Sequence, residues 1–123
     1  MAKLAMTMPT LAPVDSDKKV KQEQGPLPAI DKALSVVGDK YSLSIVDRLY
    51  QNNAQRFVEL EQGVTGISPR TLSARLKHLE REGLIHRQAF ATMPPRVEYT
   101  LTEQGTDLAQ AVQRLAQWAD KWY

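Results

Sequence analysis

The chain has 123 residues, with 16 Lys and Arg against 14 Asp and Glu and no cysteine; that length supports one small domain with a single core. The missing cysteine excludes disulfides and thiolate chemistry within it, and a net charge of +2 speaks of a partner only through its distribution. No apolar run approaches the roughly 20 residues of a membrane helix, and the opening stretch Met1–Asp15 lacks the continuous apolar core of a signal peptide, so a cytoplasmic protein is expected.

Residues 1–26 hold Pro9, Pro13 and Pro26 and the charged run DSDKKVKQEQG. They sustain neither a period of 2 nor one of 3.6 and read as a flexible tail ahead of an ordered domain over residues 27–123. Ile30, Ala33, Leu34 and Val37 fall at helical spacing before Gly38, which predicts a first helix over Ala29–Val37. A second helix is expected over Lys40–Gln51. Leu43, Val46, Leu49 and Tyr50 line one side of it, Ile45 widens the apolar arc, and Asn52-Asn53 closes it. Phe57, Leu60 and Val64 mark a short third helix before Gly66.

The fourth helix has signals at both ends. Ser68 can cap it by accepting a hydrogen bond from a free first-turn amide, and Pro69 suits the first turn, where its missing N–H is not needed. Ile67 and Leu72 have the spacing of a hydrophobic staple. Leu72, Leu76 and Leu79 form a stripe to be buried, and Gly83 supplies a left-handed terminus. A strand over Leu84–Ala91 follows, and Val97–Leu101 alternates apolar and polar as its antiparallel return. Pro94 and Pro95 cannot sit in a paired ladder and belong at the hairpin tip. Thr102 then caps a long final helix running to about Tyr123.

The order helix-helix-helix-helix-strand-strand-helix, mainly α with one small hairpin, is that of a winged helix-turn-helix. An α-helix fits the major groove of B-DNA, and its N-terminal half reaches base edges. On the fourth helix Arg70, Ala74, Lys77 and Arg81 lie opposite Leu72, with Thr71 and His78 on the flanks. Between Ser68 and Arg96 the bases are Arg70, Arg75, Lys77, Arg81, Arg87 and Arg96, and the acids only Glu80 and Glu82. A charged helix face is by itself an ordinary solvated face; a neighbouring wing and a local basic excess turn it toward a polyanion. The expected DNA contacts are Ser68, Arg70, Thr71, Ala74, Arg75, Lys77 and His78 on the helix and Pro94, Pro95 and Arg96 on the wing.

The motifs also resemble a known family. Gly38-Asp39-Lys40-Tyr41-Ser42-Leu43, Arg56-Phe57-Val58-Glu59-Leu60, Gly66-Ile67-Ser68-Pro69-Arg70-Thr71-Leu72, Pro94-Pro95-Arg96-Val97-Glu98-Tyr99 and Leu101-Thr102-Glu103-Gln104-Gly105 are similar to those of the HxlR-type winged-helix regulators of bacteria and archaea, relatives of the MarR type. The likeness runs from about Pro28 to Leu108, about two thirds of the chain. It implies a homodimeric transcription regulator that reads a palindromic operator in double-stranded DNA, with Ser68, Arg70 and Thr71 at the groove-entering end and Arg96 at the wing. Several such proteins sense electrophiles or oxidants through a cysteine just before the first helix. No cysteine stands near Leu27 or Pro28 here, so thiol sensing is excluded, and an effector, if one exists, is an unidentified small molecule. Asp39-Lys40-Tyr41 also replaces the commoner Gly-Lys-Trp.

In the final helix Leu108, Val112, Leu115, Ala119 and Trp122 have coiled-coil spacing, with Ala111 and Trp118 widening the stripe. Such a stripe covers either the domain's own core or a second chain. Trp118, Trp122 and Tyr123 at a terminus favour a homodimer seam, with Ile30 and Leu34 of the first helix helping. His78 and His86 stand on different elements with no cysteine to join them, so no metal or other cofactor is expected. No nucleophile elbow or phosphate-cradling glycine loop is present, and an enzyme is not expected. The competing reading is a winged-helix module that binds protein, its basic face incidental.

Overall fold

The structure is a computed structural model and describes residues 26–123; the expected tail, apart from Pro26, lies outside the described residues. In chain order the elements are α1 (Ala29–Val37), α2 (Ser42–Asn52), α3 (Phe57–Gly63), α4 (Pro69–Arg81), β1 (Ile85–Phe90), β2 (Arg96–Leu101) and α5 (Glu103–Trp122). The chain divides within α1 into units of residues 1–32 and 33–123. In the first, Asp31 and Lys32 donate their amides to the Pro28 carbonyl and so open the helix. All that follows concerns the second unit unless stated.

Helix α2 starts two residues later than its apolar period suggests, because Asp39 organises the turn ahead of it. The Asp39 Oδ2 accepts from the amides of Tyr41 and Ser42, both at 3.0 Å, and the Ser42 hydroxyl donates to Oδ1 at 2.5 Å. Ser42 can therefore be fully buried without an orphaned hydroxyl. At the other end Asn53 takes a left-handed backbone with φ of 61°, a conformation Asn tolerates better than most residues. Helix α3 is one short stretch whose Glu59 carboxylate reaches back to the Arg56 amide at 2.8 Å, filling the reciprocal half of a capping box.

Helix α4 has the ends its sequence announces. The Thr71 amide donates to Ser68 Oγ at 3.1 Å, while Ile67 and Leu72 are both buried as a staple requires. At the C-terminus the Gly83 amide bonds to the Glu80 carbonyl and the Leu84 amide to that of Leu79. This is the Schellman pattern, and it needs the positive φ of 83° that Gly83 adopts. Leu72, Leu76 and Leu79 pack into a core with Ile45, Leu49, Leu60, Leu84 and Ile85. At about 1.5–3 kcal/mol for each fully buried leucine, this stripe holds α4 on the body with its other face outward.

The hairpin pairs Ile85 with Leu101 through to Phe90 with Arg96 in antiparallel register. Pro94 and Pro95 stand outside the ladder at the tip, and the Met93–Pro94 peptide is cis. One pairing was not visible in the sequence. Gln55, just before α3, exchanges backbone hydrogen bonds with Tyr99 at 3.0 and 2.8 Å, so the outer edge of β2 is stitched to the helix-turn-helix by one residue. Only Thr102 separates β2 from α5. Its hydroxyl accepts from the Gly105 amide at 3.0 Å and donates to the Gly83 carbonyl at 2.6 Å. The first turn of α5 passes so close to Leu84 that a Cβ on Gly105 would strike the Leu84 carbonyl oxygen.

Candidate nucleic-acid interface

The face of α4 opposite its leucines is free. Arg70, Ala74, Lys77 and Arg81 are exposed, and the three basic side chains among them take part in no ion pair or hydrogen bond with the described residues. Ser68 and Thr71 stand at the N-terminal end, their hydroxyls 3.0 Å apart. Across from this face Lys77 and Ser73 share a groove of about 330 Å³ with Arg87 and Tyr99 of the hairpin, with Glu80 also lining it. Arg87 stands opposite Tyr99 in the ladder, so a cation of the wing faces the same space as a cation of the helix.

Five expected site residues are placed otherwise. His78 does not face outward with Lys77: its Nε2 lies 2.7 Å from the carbonyl oxygen of Val36. A carbonyl has no proton to give, so Nε2 is the donor, and it satisfies one of the last carbonyls of α1, which lack partners within their own helix. Arg75 reaches Asp39 at 3.3 Å, because the flank of α4 that carries it lies toward the start of α2. On α5, Leu108 and Val112 were expected on a dimer seam, yet they pack with Ala109 against Val46, Leu43 and Leu101. The stripe here covers the chain's own core, since α5 lies along α2 at this level. Arg96 is only partly exposed; its guanidinium stacks 4.1 Å from the Phe90 ring centroid and donates to Glu98 at 3.1 Å. The free tip of the wing is Met93, Pro94 and Pro95.

Farther along α5 the same stripe is largely exposed. Leu115, Trp118 and Trp122 are 50, 54 and 66 % exposed, and Ala119 is partly buried. Trp118 and Tyr123 meet edge to face with centroids 5.6 Å apart. Leu34 on α1 is 57 % exposed and, in the first unit, Ile30 is 63 % exposed.

Asp39 is the contributor that the sequence did not reveal. Burial raises its carboxyl pKa. The Ser42 hydroxyl, the amides of Tyr41 and Ser42 and the charge of Arg75 outweigh that, holding it below the usual 3.8. The available signal was an Asp three residues before a buried Ser at a helix start. Among the described residues no three His, Asp or Glu side chains assemble as a metal site, and no helix is long and apolar enough to cross a membrane.

Three helices, a capped fourth helix with an outward basic face and a hairpin beside it define a winged helix-turn-helix, a class that reads nucleic acid through that fourth helix. The chain belongs to the HxlR-like helix-turn-helix family, whose model matches residues 36–123. It is a transcriptional regulator with a helix-turn-helix DNA-binding domain. It is 38 % identical over 95 residues to YvaP of Bacillus subtilis, an HTH-type transcriptional regulator, covering 77 % of this chain and 87 % of that one. A crystal structure of a MarR-family transcriptional regulator from Enterococcus faecalis V583 shares 38 % identity with a TM-score of 0.68, over 89 % of this chain and 94 % of that one. The reduced form of YodB from Bacillus subtilis is 32 % identical with a TM-score of 0.65, over 80 % of this chain and 95 % of that one. YodB has also been solved after diamide treatment; with no cysteine in its 123 residues, the present chain has no thiol with which to answer such an oxidant.

Proposed function

We propose that the protein acts in the cytoplasm as a homodimer that binds a palindromic operator in double-stranded DNA and regulates transcription there. The observation that carries this reading is the division of α4 into a fully buried leucine stripe and an outward face holding Arg70, Ala74, Lys77 and Arg81. Arg70 and Thr71 stand at the end that enters a major groove, where an arginine can make two hydrogen bonds to one guanine. Lys77 and Arg87 serve the phosphates, and the Met93–Pro95 tip reaches the flanking backbone. The exposed Leu115, Trp118 and Trp122 form the seam with the second copy, with Leu34 of α1 as further apolar surface. A two-fold axis then sets two recognition helices about 10 base pairs apart or a multiple of that.

Mobility-shift titrations at several salt concentrations test the reading. A palindromic site should bind with steep salt dependence and be preferred over random duplex, since phosphate neutralisation supplies the slope and base contacts supply the preference. Absence of any shift at low salt overturns it and leaves a protein-binding module.

A further inference from the structure

A cleft of about 220 Å³ between α2 and the turn leading into α4 is lined by Lys40, Tyr41, Ser44, Arg48, Gly63 and Thr65. Arg48 is its unusual member. The residue is partly buried, its Nε is wholly removed from solvent, and that Nε has no hydrogen-bond partner. The guanidinium lies so close against Gly63 that a Cβ there would collide with Nε and Cζ. Burying a donor of a charged group unpaired is unfavourable, and the surroundings do not relieve it. Asp47, the one carboxylate lining the cleft, already accepts at Oδ1 from the amides of Gln113 at 2.8 Å and Gln51 at 3.4 Å. Lys40 has its ammonium 5.4 Å from the Tyr41 ring centroid and no ion-pair partner among the described residues.

Two cations and the hydroxyls of Ser44 and Thr65 thus line a small space whose one carboxylate, Asp47, is held through Oδ1 by two glutamine amides. The volume is below the roughly 300–1,000 Å³ of pockets that hold drug-sized ligands. We propose that this cleft is an oxyanion site, taking a phosphate group, free or esterified, with Arg48 and Lys40 supplying charge and the two hydroxyls donating hydrogen bonds. Arginine suits the task because its planar guanidinium presents paired donors to phosphate oxygens. The site adjoins the entry to the recognition helix. The Tyr41 hydroxyl donates to the Gly66 carbonyl at 3.3 Å, two residues before the Ser68 cap.

The test begins with inorganic phosphate titrated into the full-length, isotope-labelled chain, with chloride balancing ionic strength. The amides of Gly63 and Thr65 and the Arg48 side chain should show saturable shifts. Arg48→Gln and Lys40→Gln should each weaken binding at least tenfold. Gly63→Ala should do the same with every charge retained, because its methyl dislodges the guanidinium, and Arg48→Lys should restore part of the loss. Lys40 is exposed, so its variant stays informative should the arginine variants unfold. This arm contains no DNA and therefore succeeds or fails apart from the operator reading. A second arm separates the two sources of phosphate. If Gly63→Ala lowers the salt slope of DNA binding by about one, a backbone phosphate of bound DNA occupies the cleft. If the slope is unchanged while free phosphate saturates the site, the occupant is a free anion. No saturable shift together with an unchanged slope overturns the proposal, leaving Arg48 Nε unpaired like Gln55 Oε1, the other buried unpartnered atom among the described residues.

Discussion

Arg75 of α4 is paired at 3.3 Å with Asp39, the residue whose carboxylate also organises the start of α2. One carboxylate thus serves the N-terminus of the helix behind and the flank of the helix in front. Asp39→Ala should lower stability by about 1 kcal/mol, the usual loss for a capping residue. The sign of the pH effect follows from the depressed pKa. The contribution of Asp39 is complete above the unfolded value near 3.8 and is lost as pH falls through the lower folded value. Thermal unfolding of wild type and variant should therefore begin to converge only as pH falls below 3.8; a constant gap down to strongly acid pH would remove Asp39 from the cap.

Arg70 has no partner within the described residues and stands on the outward face. Arg70→Ala should cost about 1–3 kcal/mol on the cognate site if the side chain makes a paired contact to guanine, with a smaller loss on random duplex. Equal losses on both would assign Arg70 to a phosphate. Thermal unfolding should hardly change.

His78→Ala should behave in the opposite way. Removing the donor leaves the Val36 carbonyl, 2.7 Å away, without its partner, at a stability cost of about 1–3 kcal/mol. DNA affinity of the folded fraction should stay near wild type. A large affinity loss with unchanged melting would restore His78 to the groove.

Leu115→Glu should place a charge in the proposed apolar seam, where its desolvation is unfavourable. Sedimentation should report a monomer, and affinity for a two-half-site operator should fall far more than for a single half-site, because the dimer couples two binding events. A folded variant that still sediments as a dimer would move the seam elsewhere. Leu108→Glu should instead unfold the chain, since Leu108 packs against the core around Val46.

The ends and buried stripe of α4 were legible because their causes are local: Ser68, Pro69 and Gly83 act within a turn of the helix, and the leucines repeat at its period. The flanks were not. A helical wheel gives the angle of Arg75 and His78 from the core but not which other helix lies against that flank, and the Val36 partner of His78 is 42 residues away. The α5 stripe shows the same limit. Its period continues unbroken from Leu108 to Trp122, while its last buried hydrophobic residue is Val112, and periodicity does not mark where burial ends. Gln55 gave no strand signal because a single bridging residue has no alternation to display.

The junction at Thr102 has a mechanical consequence. Through one hydroxyl it holds both the first turn of α5 and the Gly83 terminus of α4, with Gly105 pressed against Leu84. Substituting Ala at Gly105 should therefore cost about 1–3 kcal/mol, as overpacking does, and lower the melting temperature accordingly. Only Thr102 lies between β2 and α5, and its hydroxyl ties α5 to the Gly83 end of α4, so in the proposed dimer the angle between two copies would set the angle at which α4 is presented to DNA.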